Sequence, residues 1–298
     1  MTLYFMVGLP GSGKTTYAKR LAKENNAVRF SSDDIREEIG ADGGDQSKHK
    51  EVFNILHKRL NDALTNSKDC IYDATNINAK KRAAFVREFK KKFPDCEFVC
   101  IVMATPIEYC KRFNFARDRK VPIDVIDRMY NNWQTPYYNE GWDKILLHYE
   151  LPEFIGCNGT PNDFCNTFYC WDQENPHHKF SLGIHSLLVG NSMFNKGVTL
   201  KVAGLLHDCG KPYVKSKDDK GIAHYYDHHN VGAYESMFYD FSEYKDIDPI
   251  YVSFLINHHM DFYFCKNSAE GRAKFEKIYG ADEMADVKTL FNHDKEYH

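Results

Sequence analysis

No stretch of the 298-residue sequence approaches the roughly 18 to 20 consecutive apolar residues that a membrane span requires. The apolar start Leu3-Tyr4-Phe5-Met6-Val7 is too short for a signal-peptide core, so the sequence reads as cytoplasmic. Charge of one sign is not in marked excess either. The 39 Lys and Arg stand against 42 Asp and Glu, a net charge of -3, which excludes a chain that coats nucleic acid over its whole surface. Any nucleic-acid binding must be local. Internal repeats and low-complexity segments are absent. Nine cysteines, an odd number without a small-scaffold framework, fit buried thiols in a reducing compartment rather than disulfides. Among them Cys157, Cys165 and Cys170 lack the paired C-x-x-C spacing of a zinc ribbon.

The length suggests two globular units, each able to bury its own core. Histidine usage divides them: only His49, His57 and His148 precede residue 177, and the other eleven of fourteen follow it. Between the halves, residues 151–175 are rich in Pro, Gly, Asn, Asp and Cys without clear periodicity, so they read as a linker or irregular extension. The expected organisation is residues 1–150, the connecting segment, and residues 176–298. The basic run from Lys80 to Lys92 alternates with apolar residues as a solvated helix face does.

In the first half, short apolar runs at Leu3 to Val7, Ala27 to Phe30, Cys70 to Tyr72, Phe98 to Met103 and Lys144 to Tyr149 alternate with amphipathic helical stretches. That alternation predicts an α/β domain with a parallel sheet. Directly after the first run comes Gly8-Leu9-Pro10-Gly11-Ser12-Gly13-Lys14-Thr15, a G-x-x-x-x-G-K-[ST] phosphate loop in strand–loop–helix context, with Thr16 next to it. The glycines allow backbone N–H groups to turn around phosphate oxygens. Lys14 neutralises the β- and γ-phosphates, and Thr15 can hold magnesium. ATP and Mg2+ are the expected cofactors.

Three further segments bear on the acceptor. Ser31-Ser32-Asp33-Asp34-Ile35-Arg36 offers a carboxylate at the carboxyl edge of the sheet and an arginine three residues later. Asp33 is suited to accept a hydroxyl proton and Arg36 to grip a phosphate bidentately, although an Asp-Asp pair at a helix start is by itself more often a cap. Arg112, Arg117 and Arg119, just before Val121-Pro122, could fold over a triphosphate as a cationic lid. Asp73 closes an apolar run that could aim it at the phosphate loop. Together these residues resemble the kinase domain of the polynucleotide kinase end-healing family, over about residues 1–150. The resemblance implies Asp33 as general base, Arg36 on the acceptor's 3′-phosphate, and Arg117 with Arg112 on the donor phosphates.

The second half is read from its histidines. Val202-Ala203-Gly204-Leu205-Leu206-His207-Asp208-Cys209-Gly210-Lys211-Pro212 is the end of an apolar helix carrying an imidazole and a carboxylate on its last turn, with Gly and Pro as stop signals. His185 lies upstream, His228-His229 precede Gly232-Ala233, His258-His259 follow the apolar run from Tyr251 to Ile256, and Asp294 comes later. Helix-borne imidazoles and carboxylates suit one or two divalent transition metals. These features resemble the HD-domain phosphohydrolase superfamily, an all-helical fold, over about residues 176–298. The resemblance implies His185, His207, Asp208 and Asp294 as metal ligands, with His228 and His259 for a second metal; Mn2+, Ni2+, Co2+ or Fe2+ would serve. Either member of His228-His229 and of His258-His259 could face the metal, and Asp286 or Asp261 could stand in for Asp294. Lys211 could steady a substrate or orient Asp208, and His177 and His178 could contact a substrate phosphate.

The combined expectation is an enzyme that heals broken RNA or DNA ends, phosphorylating a 5′-hydroxyl and removing a 3′- or 2′,3′-cyclic phosphate before an RNA ligase acts. A small-molecule or nucleoside kinase fused to a nucleotide phosphohydrolase, and an ATP-binding regulatory sensor, are the rival expectations.

Overall fold

The structure is a computed structural model that describes residues 1–40, 46–264 and 268–298. The chain forms two compact units, residues 1–126 with 140–150, and residues 127–139 with 151–298. The division therefore differs from a single cut near 150. The chain leaves the first unit inside a helix, contributes a short segment to the second, and returns before leaving again.

In the first unit β1 (Thr2–Val7), β2 (Val28–Ser31), β3 (Cys70–Asp73), β4 (Glu97–Ala104) and β5 (Lys144–Tyr149) make one sheet in the order β2-β3-β1-β4-β5. Every pairing is parallel, as the alternating pattern predicts. The crossovers are helical: α1 (Lys14–Glu24), α2 (Ser32–Glu38), α3 (Gln46–Thr65), α4 (Ala79–Lys92), α5 (Ile107–Phe115) and the start of α6 (Ile123–Asn131). One side of the sheet buries Met6, Ile71, Val99, Ile101 and Met103 against Ala18 and Leu21 of α1, which anchors the helix that carries the phosphate loop. Parallel strands end together, so the residues after β1, β2 and β3 gather at one sheet edge.

A buried ion pair fastens the loop after β3. The Arg82 guanidinium, 1% exposed, donates to Glu140 at 2.8 and 2.6 Å and to the Asn76 carbonyl at 2.9 Å, while the Trp142 indole donates to the same carboxylate.

The second unit holds α7 (Pro161–Thr167), α8 (Leu182–Ser192), α9 (Val198–Leu206), α10 (Lys211–Val214), α11 (His228–Ser236), α12 (Pro249–His258), α13 (Asp261–Phe264), α14 (Ala269–Tyr279) and α15 (Ala281–Glu296). Its core includes Val189, Met193, Ala203, Phe254, Leu255, Val287 and Leu290. Among the described residues the unit is helical with one exception to the all-helical expectation, a two-stranded antiparallel hairpin of β6 (Ser216–Lys217) and β7 (Ala223–His224). Nor are residues 151–175 a free linker. Thr160 closes a capping box over α7, which buries Phe164 and Cys165 in the second unit. Seven residues are two turns, too few to display a period.

The segment 127–139 is held by specific bonds: the Tyr130 hydroxyl donates to Glu235 at 2.6 Å, Thr135 N–H to Asn257 at 3.0 Å, and Asn257 to the Trp133 carbonyl at 3.2 Å. Among the described residues eight cysteines are free and no helix is long and apolar enough to cross a membrane.

Removing one partner of a buried ion pair leaves the other charge uncompensated. Arg82→Ala is therefore expected to lose about 3 to 5 kcal/mol in urea unfolding, and Arg82→Met with Glu140→Leu to recover most of it.

Candidate functional site

The phosphate loop lies between β1 and α1. Gly11 (φ 82°) and Gly13 (φ 86°) adopt left-handed conformations, and a Cβ on Gly11 would stand 2.1 Å from the Cys110 carbonyl oxygen, so glycine is required there. Lys14 is buried and donates to the Leu9 carbonyl at 2.6 Å and to Ser12 Oγ at 3.3 Å. Burial pushes its ammonium down to about 8 against the opposing pull of Asp73. Thr15 follows on the first turn of α1, Thr16 beside it is exposed, and Gly8 and Pro10 are buried at the mouth of the loop.

At the neighbouring strand end the helix cap is Ser31, whose hydroxyl accepts from the N–H groups of Asp33 and Asp34 at 3.2 and 3.3 Å. Asp33 is thus released from capping, the ordinary role of such a residue. Its carboxylate instead meets Arg36 at 3.1 Å, Arg117 at 3.5 Å and Arg119 at 3.9 Å. The lid sequence and the candidate base are therefore brought together through Arg117 and Arg119, while Arg112 lies exposed on α5. Asp73 and Asp34 share a partner that the motifs did not mark. Arg29 Nε lies 2.8 Å from Asp73 Oδ2, and its Nη1 lies 2.8 Å from Asp34 Oδ2. An arginine inside a short apolar strand was the available signal, since a cation there needs a buried counter-charge.

In the second unit six side chains converge. His185 comes from α8, His207 and Asp208 from the end of α9, His228 from the start of α11, His259 from the cap of α12 and Asp294 from α15. All six are nine-tenths or more buried. Their approach depends on Gly210, where a Cβ would lie 2.1 Å from the His228 carbonyl oxygen and 2.5 Å from Gly232 N. The glycines of the two motifs let the backbones carrying Asp208 and His228 touch.

Each imidazole is oriented from behind. Nδ1 of His185, His207, His228 and His259 faces the carbonyls of Tyr297, Gly204, Tyr225 and Ile256 at 3.2, 2.8, 2.7 and 2.7 Å. A carbonyl only accepts, so each Nδ1 carries a proton and Nε2 is the ring atom turned toward the cluster. The Nε2 atoms face one another, His185 to His207 at 3.0 Å and His228 to His259 at 3.2 Å. Asp208 is shared, with Oδ2 at 3.4 Å from His185 and 3.3 Å from His207, and Oδ1 at 3.3 Å from His228. Asp294 Oδ1 completes the first set at 3.2 Å from His185 and 3.5 Å from His207.

Ligand atoms about 2.1 Å from one ion at right angles stand about 3.0 Å apart, so these spacings fit a divalent cation at either of two residue groups that have Asp208 in common. Such groups need positive charge among them. Burial opposes a charge on His207, yet Asp208 and Asp294 lift it to about 10. Burial also acts to raise Asp208, and Lys211 and His207 outweigh it to hold the carboxyl well below the usual range.

The remaining alternatives are separated by their partners. His258 bonds Asp261 at 2.8 Å, Asp286 accepts from Tyr251 at 2.5 Å, and His229 stands outside both groups of ligand atoms. Lys211 lies 2.7 Å from Asp208 and donates to Gln173 at 2.8 Å, an orienting arrangement. His178 stacks on His298 at 4.6 Å with its Nδ1 buried and unpartnered, His298 Nε2 lies 3.7 Å from Asp294, and His177 is exposed. Gln173 sits in the segment read as a linker and His298 in no motif, so nothing in the sequence singled them out.

Residues 3–136 match an AAA domain. The first unit is thus a P-loop domain of the kinase type, a fold that implies ATP and Mg2+. The chain is 28% identical over 166 residues to the L-seryl-tRNA(Sec) kinase of Methanococcus maripaludis, covering 54% of this chain and 64% of that protein. It is 24% identical over 161 residues to the protein kti12 of Schizosaccharomyces pombe, covering 49% and 56%. The matched stretch spans less than two thirds of either relative. Among solved structures, a chain of the Pnkp1/Rnl/Hen1 RNA repair complex is 23% identical with a TM-score of 0.40, covering 44% of this chain and 43% of that one. A kinase-like protein from Chloroflexus aurantiacus is 16% identical with a TM-score of 0.43, covering 53% and 92%.

Metal binding to the six-residue cluster has a direct thermal signature. Mn2+ at one hundred times its Kd is expected to stabilise the protein by about 2.7 kcal/mol per site, EDTA to reverse this, and Asp208→Asn to abolish it while Asp33→Asn does not. Calorimetric melts of the three proteins measure each of these.

Proposed function

We propose that the chain is a bifunctional end-healing enzyme: an ATP-dependent polynucleotide 5′-hydroxyl kinase in the first unit and a metal-dependent 3′-phosphatase or 2′,3′-cyclic phosphodiesterase in the second. The observation that carries the kinase half is Asp33, relieved of capping by Ser31 and set among Arg36 and Arg117 at the sheet edge where the phosphate loop opens. Asp33 takes the proton of the acceptor hydroxyl as its oxygen attacks the γ-phosphorus and ADP departs. Arg36 holds a phosphate of the acceptor. Lys14 and Arg117 balance the negative charge that spreads over the transferring group, with Arg112 as a further contact on the donor. Thr15 is the side chain for magnesium.

In the second unit His185, His207, Asp208 and Asp294 would hold one divalent transition metal, and Asp208, His228 and His259 a second. When bound, such metals supply the Lewis acidity that lowers the pKa of a water and shields phosphoryl oxygens. Lys211 and Gln173 fix the Asp208 carboxylate between the two imidazole pairs. In this reading His178, whose buried Nδ1 has no hydrogen-bond partner, would contact a substrate phosphate. RNA or DNA ends are the substrates of this reading, and an RNA ligase is the enzyme that would take up the products.

A second reading keeps the kinase chemistry and changes the acceptor. The likeness to an L-seryl-tRNA(Sec) kinase favours a hydroxyl carried on the serine of a charged tRNA.

One short RNA carrying a 5′-hydroxyl and a 2′,3′-cyclic phosphate separates these readings, incubated with ATP, Mg2+ and Mn2+ and read at both ends by mass spectrometry. The end-healing reading expects a gain of phosphate at the 5′ end and its loss at the 3′ end. Lys14→Ala or Asp33→Ala should abolish only the first and Asp208→Ala only the second, by at least 100-fold. Phosphorylation of seryl-tRNA with no change in the RNA would replace this reading with the second.

A further inference from the structure

On the far side of Arg36 from Asp33 stands a pair of aromatic rings that neither motif includes. Arg36 Nη2 lies 3.4 Å from His49 Nδ1, and the guanidinium carbon lies 5.9 Å over the ring of Phe53. His49 and Phe53 are one turn apart on α3, with ring centroids 4.7 Å from each other. His49 is exposed and Phe53 half-buried. Behind them His57 faces Phe53 at 6.3 Å and reaches the Tyr72 hydroxyl at 3.1 Å, so the pair is backed by packed side chains.

A guanidinium only donates, so His49 Nδ1 accepts and the ring proton resides on Nε2. Burial, then the charges of Arg36 and Lys81, hold the imidazole below its ordinary range. His49 therefore presents a neutral aromatic face beside a cationic phosphate grip.

Resting on the kinase reading above, we propose that His49 and Phe53 form a stacking platform for the base of the acceptor nucleotide, whose 3′-phosphate is held by Arg36 and whose 5′-hydroxyl faces Asp33. The argument is one of matching groups. A nucleotide at a 5′-hydroxyl end offers a hydroxyl, a phosphate and a base around one sugar. The surface offers a carboxylate, a guanidinium and two rings in succession, each in contact with the next. Lys81 adds positive charge on the same side, which an anionic strand requires. Stacking on an aromatic face accepts any base, so the platform would bind without sequence preference. An acceptor lacking an aromatic ring would leave these side chains unused.

The test compares two oligonucleotide acceptors that differ only in their 5′-terminal residue, one with a base and one abasic. With the wild-type chain, KM for the abasic acceptor is expected to be about tenfold higher at similar kcat. His49→Ala and Phe53→Ala should raise KM for the base-bearing acceptor about tenfold, change kcat less than about threefold, and leave KM for ATP and for the abasic acceptor unchanged. His49→Phe, which keeps a ring but not the contact to Arg36, should preserve the preference for a base. An equal rise in KM for both acceptors, or His49→Phe behaving like His49→Ala, would show that the rings only support Arg36 and would overturn the proposal. If wild type phosphorylates neither oligonucleotide yet phosphorylates seryl-tRNA or a small molecule, the kinase reading itself fails and this proposal with it.

Discussion

A carboxylate cannot stay ionised inside a protein unless opposite charge lies against it, and the second unit is arranged around one carboxylate that Lys211 and His207 hold in that form. Asp208 is 2% exposed, yet its two oxygens meet His185, His207, His228 and Lys211 within 3.4 Å. Four helices must therefore end or begin at one point, which the touching backbones at Gly210 and Gly232 permit. Backbone carbonyls behind the imidazoles hold a proton on each Nδ1, so the Nε2 atoms are the ones that face inward. A hydrophobic core alone would not hold such a set together; a cation would.

The first unit solves a similar problem by delegation. Ser31 does the capping that Asp33 would otherwise do, and Arg29 ties Asp34 to Asp73. Asp33 is left with the arginines of α2 and the lid as its neighbours. Two adjacent aspartates of the same sequence motif thereby receive different surroundings, and with them different chemistry.

Much of this was legible in the sequence because the signals are local. The phosphate loop, the parallel alternation and the sheet-edge Asp33 depend on spacings of a few residues. The His-Asp pair at a helix end with glycine two residues on likewise states its own geometry. What was not legible depends on distance along the chain. Gln173 reaches Lys211 across 38 residues, and Arg29 reaches Asp73 across 44. The choice of His228 over His229 and of His259 over His258 is a matter of helix rotation, which two neighbouring histidines do not reveal. The segment 151–175 looked structureless because α7 is too short for its apolar residues to repeat.

The path of the chain between the units bears on how the protein is made. Tyr130 and Trp133 are buried in the second unit, but their partners Glu235, Tyr234 and Asn257 follow about a hundred residues later. A ribosome thus releases β5, which completes the first sheet, well before those side chains have anything to pack against. During that interval the indole of Trp133 and the phenol of Tyr130 lack the later residues against which they pack in the second unit.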